Sequence, residues 1–314
     1  MPERWLRGER MTRLRLKGLV AAAHTPFRPD GSLNLSAVEK QAEHFLKQDL
    51  RITFIGGTTG ESHSLTLEER LGLARRWMEV VRGTALQVVV HVGSNCLSEA
   101  RQLASQAGGL GALAFAALTP CYFKPRDLEV LVACCAEIAS AAPELPFYYY
   151  DIPSMTGVPM PMPEFLLRGR ERIPNLAGIK FTNPDLMQYQ QCLRLEDGAF
   201  DIPWGNDEFL LAALSLGAQG AVGSSYCFAA KIYHRVMAAA AAGDLAAARR
   251  EQLRSVDLVK TLAGYGYMGA AKALMDFLGV DVGPARLPNT NLTAAQRAAL
   301  RSDLERLGFF EWLS

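Results

Sequence analysis

Residues 86–120 read LQVVVHVGSNCLSEARQLASQAGGLGALAFAALTP. Its two ends, VVVHVG and LAFAALTP, are near-continuous apolar runs, the pattern of parallel strands covered on both faces, and the stretch between them is amphipathic. Strand, helix and parallel strand make one right-handed βαβ crossover. The same rhythm extends in both directions. It predicts eight strands: Leu19 to Phe27, Ile52 to Gly57, Leu86 to Gly93, Ala112 to Pro120, Phe147 to Pro153, Leu176 to Asn183, Asp201 to Asn206 and Ala218 to Ser225. Eight strands alternating with helices indicate an α/β fold, the (β/α)8 TIM barrel. A doubly wound sheet competes, but the first strand ends in His24-Thr25-Pro26-Phe27, without the G-x-G-x-x-G that such a sheet uses for phosphate.

After Ser225 the strand signals stop. Lys231 to Leu262 reads as helices broken at Gly243-Asp244, with further helix from Met268 and from Thr293, and the run Ala238 to Ala242 is helix former rather than low complexity. The expected organisation is a basic leader over 1–16, the barrel over 17–230 and a C-terminal helical extension over 231–314.

The chain has 314 residues, 33 Lys+Arg against 32 Asp+Glu for a net charge of +1, and is 49% apolar. That balance lacks the basic footprint of nucleic-acid binding and is too apolar for disorder, so neither polynucleotide nor an anionic membrane surface is an expected partner. The six cysteines (Cys96, Cys121, Cys134, Cys135, Cys192, Cys227) contain no CxxC and read as reduced thiols of a cytoplasmic protein. Arg4, Arg7, Arg10, Arg13, Arg15 and Lys17 crowd the leader, but no apolar h-region and no eighteen-residue apolar span follows, so neither secretion nor membrane insertion is indicated.

In a barrel enzyme the chemistry sits at the C-terminal ends of the strands. Lys180, inside Leu-Ala-Gly-Ile-Lys-Phe-Thr, is the lysine so placed. Burial there favours the neutral amine that a Schiff-base nucleophile needs, although a structural ion pair reads equally well. Gly56-Gly57-Thr58-Thr59-Gly60-Glu61 is either a cradle of backbone N–H and hydroxyl groups for a carboxylate or a tight turn and cap. In Phe147-Tyr148-Tyr149-Tyr150-Asp151, Tyr148 and Tyr150 share one face, as proton relay or as packing. Asp207-Glu208, after Trp204-Gly205-Asn206, suits a polyhydroxylated substrate, a metal or a helix cap. No metal site is expected from His24, His44, His63, His91 and His234, whose spacings match no ligand motif; His91 reads as a core histidine and Cys121 lacks an activating partner.

In this order, GGTTGE, HVG, TPCYFK, YYYDIPSMTGV, GIKFT, WGNDE and GAVGSS resemble the dihydrodipicolinate synthase/N-acetylneuraminate lyase family of class I aldolases over about residues 17 to 290. The resemblance implies a barrel with a C-terminal helical domain, commonly a homotetramer, in which a lysine forms a Schiff base with a 2-keto acid and no dissociable cofactor or metal is used. It makes Lys180 the Schiff-base lysine and Tyr150 the catalytic tyrosine. Thr58 and Thr59 become the carboxylate-binding hydroxyls, Thr59 also counting as catalytic, and Tyr122 the tyrosine that reaches a neighbouring subunit's site. Gly205, Asp207 and Glu208 match the G-x-D-E of sialic acid lyases, Ser224 a further sugar-contacting serine, and Thr182 joins the substrate-binding set. Synthases carry an arginine in the loop after the tyrosine, where this chain has Met155, and a methionine cannot make that bidentate contact. Asp151 departs from the family pattern of Asn, Ser or His. The implied activity is retro-aldol cleavage of N-acetylneuraminate, with a 2-keto-3-deoxy sugar acid aldolase or dehydratase, a dihydrodipicolinate synthase or a non-catalytic keto-acid sensor as alternatives.

Overall fold

A computed structural model describes residues 14–313. The leader expected over 1–16 lies almost wholly outside the described residues. Among the described residues seven strands are formed, β1 (Gly18–Ala22), β2 (Ile52–Ile55), β3 (Gln87–His91), β4 (Ala114–Ala117), β5 (Phe147–Asp151), β6 (Leu176–Phe181) and β7 (Gly220–Gly223). Every strand pairing is parallel, and nearly every strand residue is buried, which explains why these runs do not alternate in polarity. Apart from Asp201 to Asn206, each predicted strand runs a few residues past the observed one, because its last residues leave the ladder to form loops.

Two compact units account for the described residues. One comprises Gln87–Asn206, Leu216–Ala221 and the described residues up to Gly18; the other comprises Leu19–Leu86, Asp207–Ser215 and those from Val222 onward.

In the first unit β3, β4, β5 and β6 pair in succession, with Tyr148 opposite Gly178, Tyr150 opposite Lys180 and Asp151 opposite Phe181. The predicted strand Asp201 to Asn206 is bridged rather than laddered, at Gly178↔Asp201, Phe181↔Trp204 and Trp204↔Ala221. Its backbone still follows β6, with Ile179 N donating to Asp201 O at 3.0 Å and Phe181 N to Pro203 O at 2.9 Å. Pro203 has no N–H to continue the ladder, which is the physical reason regular strand is lost there. Gly178 is obligatory, since a Cβ would overlap the Asp201 carbonyl.

In the second unit β1 and β2 pair through Val20↔Ile52, Ala21↔Thr53 and Ala22↔Phe54. Its C-terminal part is helical as expected: Tyr226–Ala241, Leu245–Gly264, Tyr267–Phe277 and Ala294–Leu307. The expected break is real, with Gly243 at φ 74° and the Asp244 side chain capping Ala247 N at 2.9 Å. Thr293 caps the last helix in a capping box with Gln296. All six cysteines are free thiols, and among the described residues no helix is long and apolar enough to cross a membrane.

Candidate active site

Strand alternation sorts the β5 side chains into two sets. Tyr149 faces outward, its ring 4.6 Å from Phe165 of the helix Met162–Arg172. Tyr148 and Tyr150 point the other way, and the Tyr148 hydroxyl donates to Asp201 Oδ2 at 2.8 Å, the packing role with a satisfied hydroxyl. Leu16 N donates to the same oxygen at 2.8 Å.

Lys180 shares the face of Tyr150. Its Nζ lies 3.5 Å from the Tyr150 ring centroid, with Lys180 5% and Tyr150 2% exposed. The edge of His91 meets Tyr150 at 5.8 Å between centroids, and His91 Nε2 accepts from Leu118 N at 3.4 Å, so His91 is the core histidine expected. The residue after β6 is Thr182, whose hydroxyl oxygen is buried and has no hydrogen-bond partner among the described residues. Gly205 N donates to Phe181 O at 2.8 Å, and a Cβ at Gly205 would overlap Thr182 Oγ1. The glycine of the GxDE stretch is thereby fixed by close approach to Thr182. The first unit therefore brings together Lys180, Tyr150, Thr182 and Gly205.

Asp151 is buried on the outer face. Burial pushes its carboxyl up to about 7, against a hydrogen bond from Asn183 at 3.0 Å that lowers it and the charge of Asp185 that raises it. Tyr122 is not part of this set. It stands 79% exposed on a loop whose backbone is held by Asn95 Oδ1, which accepts from Cys121 N at 2.9 Å and Tyr122 N at 3.0 Å. Met155, in the short helix Pro153–Thr156, is also exposed.

In the second unit Thr58 and Thr59 are half-buried on a loop that turns back on itself, with Glu61 N donating to Thr58 O at 3.0 Å and Ser62 N to Gly57 O at 3.2 Å. The loop is anchored at both ends. Thr25 Oγ1 donates to Gly60 O at 2.6 Å, while Glu61, at φ 54° in the left-handed region, is held by Lys272. Lys272 Nζ lies 2.7 Å from Glu61 Oε1, both side chains essentially inaccessible, and also donates to the carbonyls of Thr25 (2.9 Å) and Pro284 (2.8 Å). Arg286 N donates to the other Glu61 oxygen at 2.8 Å. Burial draws the Lys272 amine down to about 8.

The Asp207 carboxylate is tied to the segment that follows β7. Its Oδ2 accepts from Ser225 N at 2.9 Å and Ser225 Oγ at 2.5 Å, and Ser225 Oγ reaches Tyr233 OH at 2.5 Å. Ser224 Oγ and Tyr267 OH lie 2.7 Å apart, and Glu208 is half-buried beside Asp207. Asp207, Ser225 and Tyr233 thus form one hydrogen-bonded group, and the neighbouring Ser224 pairs with Tyr267. Sequence reasoning gave no role to Tyr267, Ser225, Asn183, Lys272 and Arg286, because each acts on a partner distant in the chain. Among the described residues no group of three or more His, Cys, Asp or Glu is placed to hold a metal ion.

Comparison with known proteins gives a consistent answer. The family model described as the dihydrodipicolinate synthetase family matches residues 15–307. The chain is 38% identical over 299 residues to the N-acetylneuraminate lyase of Gallus gallus, covering 94% of this chain and 97% of that one. It is 40% identical over 277 residues to N-acetylneuraminate lyase A of Xenopus laevis, covering 87% and 90%. The solved structure of Proteus mirabilis N-acetylneuraminate lyase matches with a TM-score of 0.91 at 37% identity, over 94% of this chain and 100% of that one.

Proposed function

This chain belongs to the dihydrodipicolinate synthetase family, and on that premise we propose that it is a Schiff-base aldolase cleaving N-acetylneuraminate to N-acetylmannosamine and pyruvate. The observation that carries the reading is the pairing of Lys180 with Tyr150 on adjacent strands, with Nζ against the ring. The strands close as a (β/α)8 barrel over 17–230, in which the bridged segment Asp201 to Asn206 takes the remaining strand position, and residues 231–314 form its helical extension.

The Lys180 amine adds to the C2 ketone of the open-chain sugar acid, and loss of water from the carbinolamine leaves an iminium. Tyr150 takes the proton of the C4 hydroxyl. The C3–C4 bond breaks, its electron pair moves into the iminium to give an enamine, and C4 departs as the aldehyde of N-acetylmannosamine. Protonation of the enamine at C3 and hydrolysis release pyruvate and restore the lysine. Thr58 and Thr59 hold the C1 carboxylate, with Thr59 completing the proton path. Thr182, Gly205, Asp207, Glu208 and Ser224 serve the polyol, Gly205 by close backbone approach and Asp207 by fixing the Ser224-Ser225 backbone. The covalent imine does the work of an electron sink, so no dissociable cofactor is required.

Tyr122 is assigned to a neighbouring copy of a cytoplasmic homotetramer, supported by its exposure and that of Phe123 beside it. Met155 in the position where synthases carry arginine disfavours aspartate semialdehyde as substrate.

The test is pyruvate release from N-acetylneuraminate beside 2-keto-3-deoxygluconate, with Lys180→Ala as control, and borohydride trapping of a pyruvate adduct on Lys180. Lysine-dependent release from the sialic acid is expected. Release only from the shorter acid would move the assignment to a 2-keto-3-deoxy sugar acid aldolase, and failure to trap Lys180 in active protein would end the imine mechanism.

A further inference from the structure

Asp151 follows Tyr150 on β5 and faces the other way, 1% exposed. Among the described residues its carboxylate accepts one hydrogen bond, from Asn183 Nδ2 at 3.0 Å, and its backbone carbonyl accepts from Thr182 N at 2.8 Å. Asn183 is itself oriented, since its Oδ1 accepts from Asp185 N at 3.1 Å and so leaves Nδ2 turned toward Asp151. Asp185 then caps the helix Leu186–Arg194 through Gln188 N at 3.0 Å, and Gln188 Oε1 accepts from Met162 N at 2.9 Å at the start of the helix Met162–Arg172. One run of hydrogen bonds therefore ties the end of β5, the residues following β6 and the beginnings of two helices. The two strands it joins carry Tyr150 and Lys180.

The groups facing Asp151 are Tyr149 on its own strand, Cys192 of the helix Leu186–Arg194, Asp185 and Asn183. None is a cation. A carboxylate with one neutral donor and an anion nearby is poorly compensated in a buried place, and its charge is correspondingly easy to lose.

We infer that Asp151 is a positioning residue for the Tyr150 and Lys180 pair, acting through Asn183 as an ionisable clamp between the ends of β5 and β6. The inference rests on the assignment of the imine chemistry to those two residues. A hydrogen bond to a charged carboxylate is shorter and stronger than one to the neutral acid, so the clamp is tight above neutral pH and slack below it. Burial places the carboxyl's changeover at about 7, within the working range of an enzyme.

The test is the pH dependence of kcat, between about pH 5 and pH 9, for the wild type, Asp151→Asn and Asn183→Ala. The wild type should show an inflection near neutrality that Asp151→Asn, uncharged at every pH, lacks. Asn183→Ala removes the donor to the charged form and should move the inflection upward by about one unit. Superposable profiles overturn the clamp. Where Asp151→Asn fails to fold, the Asn183→Ala profile decides alone, an unmoved inflection overturning it. Borohydride trapping of pyruvate at high pH keeps the two readings apart: a labelled Lys180 with unchanged profiles removes only the clamp, whereas an unlabelled Lys180 in active wild type removes the imine assignment beneath it.

Discussion

Lys180 Nζ sits 3.5 Å from the centre of the Tyr150 ring, over its face. The ring therefore covers the amine with an apolar, electron-rich surface, and the hydroxyl is a separable part of the same side chain. One conservative substitution separates the cover from the proton transfer proposed for the hydroxyl.

Tyr150→Phe keeps the cover and removes the hydroxyl proposed as proton acceptor. It is expected to lower kcat by a factor of about 10² to 10⁴ while pyruvate still forms a borohydride-trappable imine on Lys180. Steady-state kinetics beside mass spectrometry of the reduced adduct checks this; loss of trapping together with kcat would mean that the hydroxyl is needed to make the imine.

Asp151 links pH to stability. Its folded-state value of about 7 lies above the ordinary carboxyl value of 3.8, so the native state holds a proton that the unfolded chain has released. The stabilising contribution is complete below about pH 4 and is lost as pH rises through 7, at most about 4 kcal/mol across the interval. Asp151→Asn should therefore gain in denaturation midpoint relative to wild type as pH is raised from 5 to 8. A difference between the two that stays constant with pH would contradict this.

Tyr267→Phe deletes only the hydroxyl that meets Ser224 Oγ at 2.7 Å. A net hydrogen bond is worth about 1 kcal/mol, or roughly a fivefold change in binding. The KM for N-acetylneuraminate should rise by about that factor with kcat little changed, and the KM for a short 2-keto-3-deoxy acid should not move. Equal effects on both substrates would show that Ser224 does not read the distal part of the sugar.

Lys272→Met strands the buried Glu61 carboxylate. Removing one partner of a buried pair costs about 3–5 kcal/mol, whereas removing both charges is often close to neutral. The single variant should thus denature well before wild type, and Lys272→Met with Glu61→Gln should recover much of the loss. Urea denaturation of the two variants measures the difference, and a double variant no more stable than the single one would refute the account.

Lys180 and Tyr150 were legible in the sequence because period-2 alternation and apolar surroundings specify where a strand side chain points. The loop GGTTGE was legible as a turn, but what holds it was not: Arg286 acts on Glu61 from 225 positions away, and no local pattern encodes that distance. Tyr267 and Asn183 were hidden for the same reason, their partners lying 43 and 32 positions distant. Pro203 is a different case. The apolar run around it satisfies the strand pattern, yet its missing N–H interrupts the ladder, so a residue visible in the sequence gave a segment that follows β6 without being regular strand.

The left-handed turn at Glu61 also sets an order of events. During synthesis on the ribosome, β2 and its loop emerge long before Lys272 and the Arg286 backbone exist to receive the Glu61 carboxylate. Until then the turn that carries Thr58 and Thr59 lacks two of the contacts that hold Glu61. A chain halted short of residue 286 therefore lacks a donor to Glu61, so the conformation of the turn over residues 57–61 depends on residues made more than two hundred positions later.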